Sequence, residues 1–439
     1  MYILNREKVL KYILFENEQN NVSKEKLDER NKEGIEKYRK GNFTLKFGAK
    51  IKDVKITQTK HKFKFGSTAF MLGSFESLEK QPIYEEKFAK IFNQAVVPLY
   101  WSDLEPEEGC LRFDKKSEKI YRRPPVDECL EFCDKYGLEP KGHCLTWDWF
   151  NPKWLSKYNE EERKSILERR FKQISEKYAD KIPSFDVVNE SATSYNHGRK
   201  VLFENYDEYA LKLGDKYFKN NIKIINEAGP AIWENFSREG KYCAFNMQLK
   251  ELLANNYTID EIGLQYHIMF PEKTVEEIQN FVYLNTEFML EVLDMFGRYN
   301  LPMHISEITI PSYANKIPEN EELQAEITEI MYKTWFATEN MKSIVWWNMV
   351  DGYAAYAPIG SSEGENYYCG GLLHFDLSDK PVYKVLDRLI NHEWKTNVSQ
   401  EVNSDTFTFR GFYGEYEVDA GGKKYKVNLD KNDLIKELK

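Results

Sequence analysis

The chain has no long hydrophobic run, no basic tract and no cysteine pairing, and each lack removes a class of function. A membrane span needs about 20 apolar residues in succession. The most apolar stretch, residues 281–296, is broken by Asn285, Glu287, Glu291 and Asp294. No transmembrane helix is expected. The opening segment, MYILNREKVLKYILFENE, lacks the basic start and apolar block of a secretory signal. We therefore expect a cytoplasmic protein. Lysine and arginine number 62 against 71 acidic residues, a net charge of −9. Without a sustained cationic segment, neither nucleic acid nor an anionic membrane is an expected partner. The six cysteines, at 110, 129, 133, 144, 243 and 369, show no zinc-like spacing. They read as reduced core thiols, with Cys129 and Cys133 one helical turn apart on one buried face. No histidine pair stands at i, i+4 and no HExxH occurs, so neither a metal nor another cofactor is expected. There is no tandem repeat and no low-complexity tract.

What remains is a chain of 439 residues, 41% apolar and 15% aromatic, enough for a large core. Residues 1–40 are rich in Lys and Glu and read as helical. Residues 41–62 change to the alternation of short strands. From 63 to 395, short apolar segments alternate with amphipathic helical ones. Eight strand candidates fall near 64–70, 94–100, 138–146, 184–189, 222–227, 262–267, 302–307 and 343–348. Helical stripes follow several of them, such as Ile166, Leu167, Phe171, Ile174 and Tyr178. Strand-helix alternation over this length means parallel strands joined by crossovers, and eight of them favour an α/β fold of the closed (β/α)8 TIM barrel type. Residues 396–439 return to β alternation, with a hairpin signal at Gly421-Gly422. A sheet this small is unstable alone. It is expected to join the strands of 41–62 as an accessory β module, serving as a structural cap. A carbohydrate-binding role, with Tyr413 and Tyr416 stacking on sugar, is the lesser alternative.

Catalytic groups of such a barrel stand at the C-terminal ends of its strands. The fourth strand ends in DVVNES, which brings Asn189 and Glu190 to the rim. The seventh ends in HISE, which brings Glu307. His143, Leu145 and Trp147 share a face near the third, and Gln265 and His267 share a face on the sixth, with Tyr266 opposite. Trp346, Trp347 and Asn348 close the eighth. A lone glutamate at a strand end is usually an ion-pair partner. Two on nearly opposite sides of one mouth, among Trp, His, Gln and Asn, fit glycoside hydrolysis, in which one carboxylic acid protonates the leaving oxygen and a carboxylate attacks or activates water.

At these residues the sequence resembles glycoside hydrolase family 10, the retaining endo-β-1,4-xylanases, from about 63 to 393. FGSTAF (65–70), GHCLTW (142–147), DVVNES (186–191), IGLQYH (262–267), HISEIT (304–309) and WNMVD (347–351) carry the likeness in order. The resemblance implies Glu190 as acid/base and Glu307 as nucleophile. It implies that Asn189 bonds the sugar 2-hydroxyl in the −1 subsite and that Gln265 and His267 orient the nucleophile. It implies that His143, Trp147 and Trp347 line the −1 subsite. The implied substrate is a β-linked, xylan-derived oligosaccharide. The chain also departs from the family. Where the family has a Glu-Asn-x-x-Lys-Trp motif gripping the −2 sugar, this sequence has Val96, Val97 and Tyr100 before Trp101. Asp148 replaces a histidine, Thr309 an aspartate, Tyr266 a glycine, and Ala355 an aromatic residue. These changes keep open a different β-linked glycan and, less favoured, a non-catalytic sugar-binding barrel. Arg122 and Arg123, in the segment 110–127, are candidates for new contacts to an acidic sugar.

Overall fold

A computed structural model describes residues 6–13, 24–192, 201–234, 242–270, 285–314 and 317–438. Of the expected N-terminal helical segment, Arg6–Ile13 and Lys24–Tyr38 are helices, and residues 1–5 and 14–23 lie outside the described residues. The same holds for the start of the apolar stretch 281–296.

The strands are β1 (Lys40–His61), β2 (Lys64–Thr68), β3 (Gln94–Pro98), β4 (Glu139–His143), β5 (Ser184–Asn189), β6 (Ile222–Glu227), β7 (Glu261–His267), β8 (Met303–Thr309), β9 (Met341–Trp346), β10 (Asn397–Phe412), β11 (Gly414–Ala420), β12 (Lys423–Leu429) and β13 (Leu434–Leu438). Strands β2 to β9 close into a barrel in chain order, and neighbours run parallel. This is the (β/α)8 TIM barrel expected from the alternation. Every residue of β3 and β5 is buried, because helices cover the outer face and side chains fill the inner one.

The helix Glu160–Tyr178 illustrates why the connecting segments fold locally. Asn159 caps it and Glu162 reaches back to close a capping box. Three glutamates in the first turn favour the positive end of the helix dipole. Its buried face carries Ile166, Leu167, Phe171, Ile174 and Tyr178, each side chain worth roughly 1.5–3 kcal/mol on burial.

The accessory module is a five-stranded sheet. Strand β1 pairs antiparallel with β10 and β11 and parallel with β13, and β12 adds to β11. Gly421 and Gly422 turn the β11–β12 hairpin at φ +59° and +87°, where a side chain would be strained. Phe43, Leu45, Ile56, Val418 and Leu429 form its core. Tyr416 belongs to that core at 1% exposure, and its hydroxyl donates to the Phe412 carbonyl. It offers no face to a sugar. The module joins the barrel at the N-terminal end of the strands. There Trp394 stacks on Phe336 at 4.2 Å and on Phe65 at 5.8 Å, and the Arg39 guanidinium donates to the Phe336 carbonyl at 2.6 Å. The module therefore lies at the face opposite the mouth. None of the six cysteines is joined in a disulfide among the described residues, and Cys129 and Cys133 are buried together on the helix Val126–Tyr136. Cys110 is exposed, contrary to the core expectation.

Candidate active site

Strand β5 runs fully buried to Asn189, and the next residue, Glu190, turns into the left-handed region at φ +53°. A non-glycine residue there costs on the order of 1 kcal/mol or more. The backbone N–H of Glu190 donates to the Asn226 carbonyl at 2.8 Å, which holds the turn. The carboxyl accepts from the Gln265 amide at 2.8 Å. On β8, Glu307 is 4% exposed. Its Oε1 accepts from Asn226 Nδ2 at 2.9 Å and its Oε2 lies 3.0 Å from His267 Nε2.

Gln265 thus meets Glu190, not Glu307 as the resemblance implied. It shares the inner face of β7 with His267, but its longer side chain reaches toward β5. Asn226, at the end of β6, takes the place beside Glu307 that Gln265 was expected to fill. The same Asn226 amide nitrogen donates to Asn189 Oδ1 at 2.8 Å. Among the described residues, Asn189 Nδ2 is buried without a hydrogen bond of good geometry, and its nearness to Glu190 favours that carboxyl's anion. A donor so placed at the mouth suits an incoming hydroxyl.

His143 is fixed from behind. Its Nδ1 lies 2.7 Å from Asp186 Oδ2, which also accepts from Lys141 at 2.7 Å. That leaves Nε2 facing Glu307 Oε1 at 3.8 Å. Trp347 packs edge-on against both His143, at 5.9 Å, and His267, at 5.7 Å. Trp147 stands 6.4 Å from His143 on its other flank. Leu145 leaves this face for the large barrel core, because β4 ends at His143 and two-residue alternation ends with it. The structure so brings Glu190, Glu307, Asn189, His143, Trp147, Gln265, His267 and Trp347 to one mouth.

Burial raises both carboxyls alike, and the charge of Asp186 adds to the rise of Glu307. Burial first, and the charge of Glu307 second, push Glu190 up to about 7. Burial also pushes Glu307 up to about 7, opposed by His143, Lys141 and the Asn226 bond. Asn226 and the His267 ring flank the two Glu307 oxygens, while Gln265 and Asn189 favour the Glu190 anion. Burial works against the Asp186 anion, but Lys141 and His143 hold it below its ordinary range. Among the described residues, no group of three or more His, Cys, Asp or Glu side chains is arranged to hold a metal ion.

Residues 55–384 match the sequence profile of glycosyl hydrolase family 10. The chain belongs to this family. Endo-1,4-beta-xylanase 1 of Arabidopsis thaliana is 22% identical over 411 residues, covering 89% of this chain and 37% of that protein. Endo-1,4-beta-xylanase A of Caldicellulosiruptor saccharolyticus is 26% identical over 275 residues, covering 57% of this chain and 76% of its own length. The chain spans about a third of the length of the Arabidopsis relatives it matches. Xylanase 10B from Thermotoga petrophila RKU-1, solved in complex with xylobiose, superposes with a TM-score of 0.59 at 20% identity, covering 76% of this chain and 95% of that one.

Against the family 10 pattern, the second-strand departures form an apolar wall. Val96 and Tyr100 are buried with Phe70, Cys144 and Val345, and Trp147, Phe150 and Trp347 pack on them. Tyr100 stacks on Phe150 at 4.6 Å. The Arg123 guanidinium sits 4.3 Å from the Tyr100 ring centroid and binds Asp103 Oδ2 through Nε at 3.0 Å. Arg122 is different. It is 3% exposed, donating to Asn348 Oδ1 at 2.6 Å and to the Tyr353 carbonyl. It therefore has a structural task and is not free for an acidic sugar. Asp148 accepts the backbone N–H of Val201 at 3.2 Å and of Leu202 at 2.8 Å, so it ties a loop. Tyr266 faces outward and packs on Trp335 at 5.0 Å. Sequence reasoning passed over Asn226, Asp186 and Lys141. Asn226 met the criterion used for Asn189, a polar residue ending an apolar strand, and could have been found by it.

Proposed function

We propose that this chain is a retaining glycoside hydrolase that cleaves β-1,4-xylosidic bonds in xylan-derived oligosaccharides by double displacement. The observation that carries the proposal is the pair of buried carboxyls, Glu190 and Glu307, each held by different partners at one mouth. Glu307, ionised, attacks the anomeric carbon. Glu190, protonated, gives its proton to the leaving oxygen. Once Glu307 is an ester it no longer carries charge, and one cause of the raised Glu190 disappears. Glu190, having already given up its proton, is then the more stable as a carboxylate and serves as base toward water. Asn189 offers its Nδ2 to the sugar 2-hydroxyl. His143 offers Nε2 to another hydroxyl, and Trp147 and Trp347 supply ring faces and edges to the −1 sugar. Gln265 holds Glu190 and His267 holds Glu307.

A second reading keeps the chemistry and changes the sugar. The apolar wall of Val96 and Tyr100 favours it, since hydroxyl-binding groups discriminate strongly and their loss alters what is accepted. The test is product profiling of the parent and Glu307→Ala on linear and glucuronylated xylo-oligosaccharides beside nitrophenyl β-glucosides, galactosides and arabinosides. Xylo-oligomer cleavage by the parent alone supports the first reading. Turnover of another sugar only supports the second. No turnover of any substrate would leave a sugar-binding barrel.

A further inference from the structure

Strands β7 and β8 meet in register at the mouth, Gln265 opposite Glu307 and His267 opposite Thr309. Alternation puts Glu307 and Thr309 on the same inner face of β8. Thr309 is 3% exposed. Its hydroxyl lies 2.9 Å from His267 Nδ1, while Nε2 of the same ring lies 3.0 Å from Glu307 Oε2. The imidazole is held at both nitrogens, by a hydroxyl on one side and a carboxylate on the other.

An ionised carboxylate only accepts, so the bond to Glu307 needs the proton on Nε2. A neutral ring has one proton, which leaves Nδ1 a lone pair in want of a donor. A threonine hydroxyl can donate, whereas an aspartate there cannot. The hydroxyl is also aimed. A Cβ on Gly370 would come within 2.7 Å of the Thr309 methyl carbon, so that bare glycine leaves the methyl its seat. A β-branched side chain has few other rotamers to adopt.

We propose that Thr309 is a positioning residue that keeps His267 as the neutral Nε2–H tautomer, so the ring donates to Glu307 without placing a positive charge beside it. The proposal rests on Glu307 being the nucleophile. Burial agrees with it, drawing His267 down to about 4. Among the described residues, the other charged or titratable groups around the pair include Tyr100 after β3, Lys141 and His143 on β4, Cys144 after it, Asp186 on β5, Glu190 after β5, and Glu365 in the segment after β9. An aspartate at 309 would upset their balance. It would favour an imidazolium with protons on both nitrogens, and that charge would lower Glu307.

The test uses Thr309→Val, Thr309→Ser and Thr309→Asp with two readouts. Nitrogen NMR of the imidazoles, with His267→Gln assigning the signal among the seven histidines, reports the tautomer without turnover. Hydrolysis of nitrophenyl β-xylobioside against pH reports Glu307. The parent ring should show a bare Nδ1 and a protonated Nε2. Thr309→Val should lose that pattern, with kcat falling about tenfold and KM changing less than about twofold, the scale of one lost buried hydrogen bond. Thr309→Ser should restore pattern and profile. Thr309→Asp should protonate both nitrogens and move the acid limb down by about one pH unit. A parent ring protonated at Nδ1 overturns the proposal, as does a Thr309→Val variant with the parent's ring pattern and pH profile. A parent with the expected ring but no turnover of any glycoside counts against the glycosidase reading and not against the tautomer.

Discussion

Replacing Glu190 by glutamine should make the protein more stable at pH 8 and leave it nearly unchanged at pH 4. Glutamine keeps the side-chain length and an oxygen to accept the Gln265 amide, but it cannot ionise. In the unfolded chain a glutamate loses its proton near 4.5, whereas the folded chain keeps the Glu190 proton up to about 7. Between those values the native state binds more protons than the unfolded state, so stability falls as pH rises. The fall is complete above about 7. A rise from 4.5 to about 7 is worth about 3 kcal/mol. Because the residue keeps some contact with solvent, about 2–3 kcal/mol is the expected gain of the variant at pH 8. Titrating groups not coupled to Glu190 cancel in the difference; Glu307, whose charge acts on Glu190, does not. Urea unfolding at the two pH values, followed by tryptophan fluorescence, measures it. A difference that is the same at both pH values, or a variant less stable at pH 8, would refute the account of burial and of the Glu307 charge. The same variant should lose turnover most on substrates with poor leaving groups, where protonation matters most.

Three further outcomes are expected. Proton NMR of the first product from a β-linked xylo-oligomer should show the β-anomer appearing before mutarotation, and an initial α-anomer would exclude double displacement. Arg122→Ala should lower stability by about 2–4 kcal/mol in chemical unfolding, since it strands the buried Asn348 and Tyr353 acceptors. Arg123→Ala should instead change KM with little change in unfolding, and equal destabilisation by both would contradict the distinction. Deleting residues 396–439 removes Phe412 and the partners of β1. The truncated chain should lose soluble yield and near-ultraviolet dichroism, and a stable, fully active truncation would refute the cap role.

The barrel was legible because most of its strands are short apolar segments closed by a turn or a polar end, and because helical stripes such as Ile166 to Tyr178 separate them. Glu190 was legible for a related reason, as a polar residue just past the end of an apolar strand; Glu307 reads as ending its strand, but β8 runs on to Thr309 and keeps Glu307 on its inner face. What alternation cannot give is reach. It puts Gln265 and His267 on one face, yet the two serve different carboxyls. Nor does it tell a site cation from a structural one. Arg122 and Arg123 are neighbours in sequence, but Arg122 turns inward at φ +60° and is consumed by Asn348 and the Tyr353 carbonyl. Tyr416 was one of two candidate sugar platforms, with Tyr413, although Gly-Phe-Tyr-Gly (411–414) also reads as a packed hairpin. Its place on the inner face of β11 follows only once β11 is paired with β1.

The Asn226 amide has one nitrogen with two hydrogens, and both are engaged, one by Asn189 and one by Glu307. Its oxygen faces Gly263, where a Cβ would fall 2.3 Å away. A single planar group therefore spans the residue proposed to bind the sugar and the residue proposed to attack it. Esterified Glu307 is a weaker acceptor than the carboxylate, so forming the ester loosens one half of that span and shifts the pull toward Asn189. The chemical state of the nucleophile is in this way felt by the sugar's 2-hydroxyl partner, and the smallest residue of β7 sets how faithfully the signal passes.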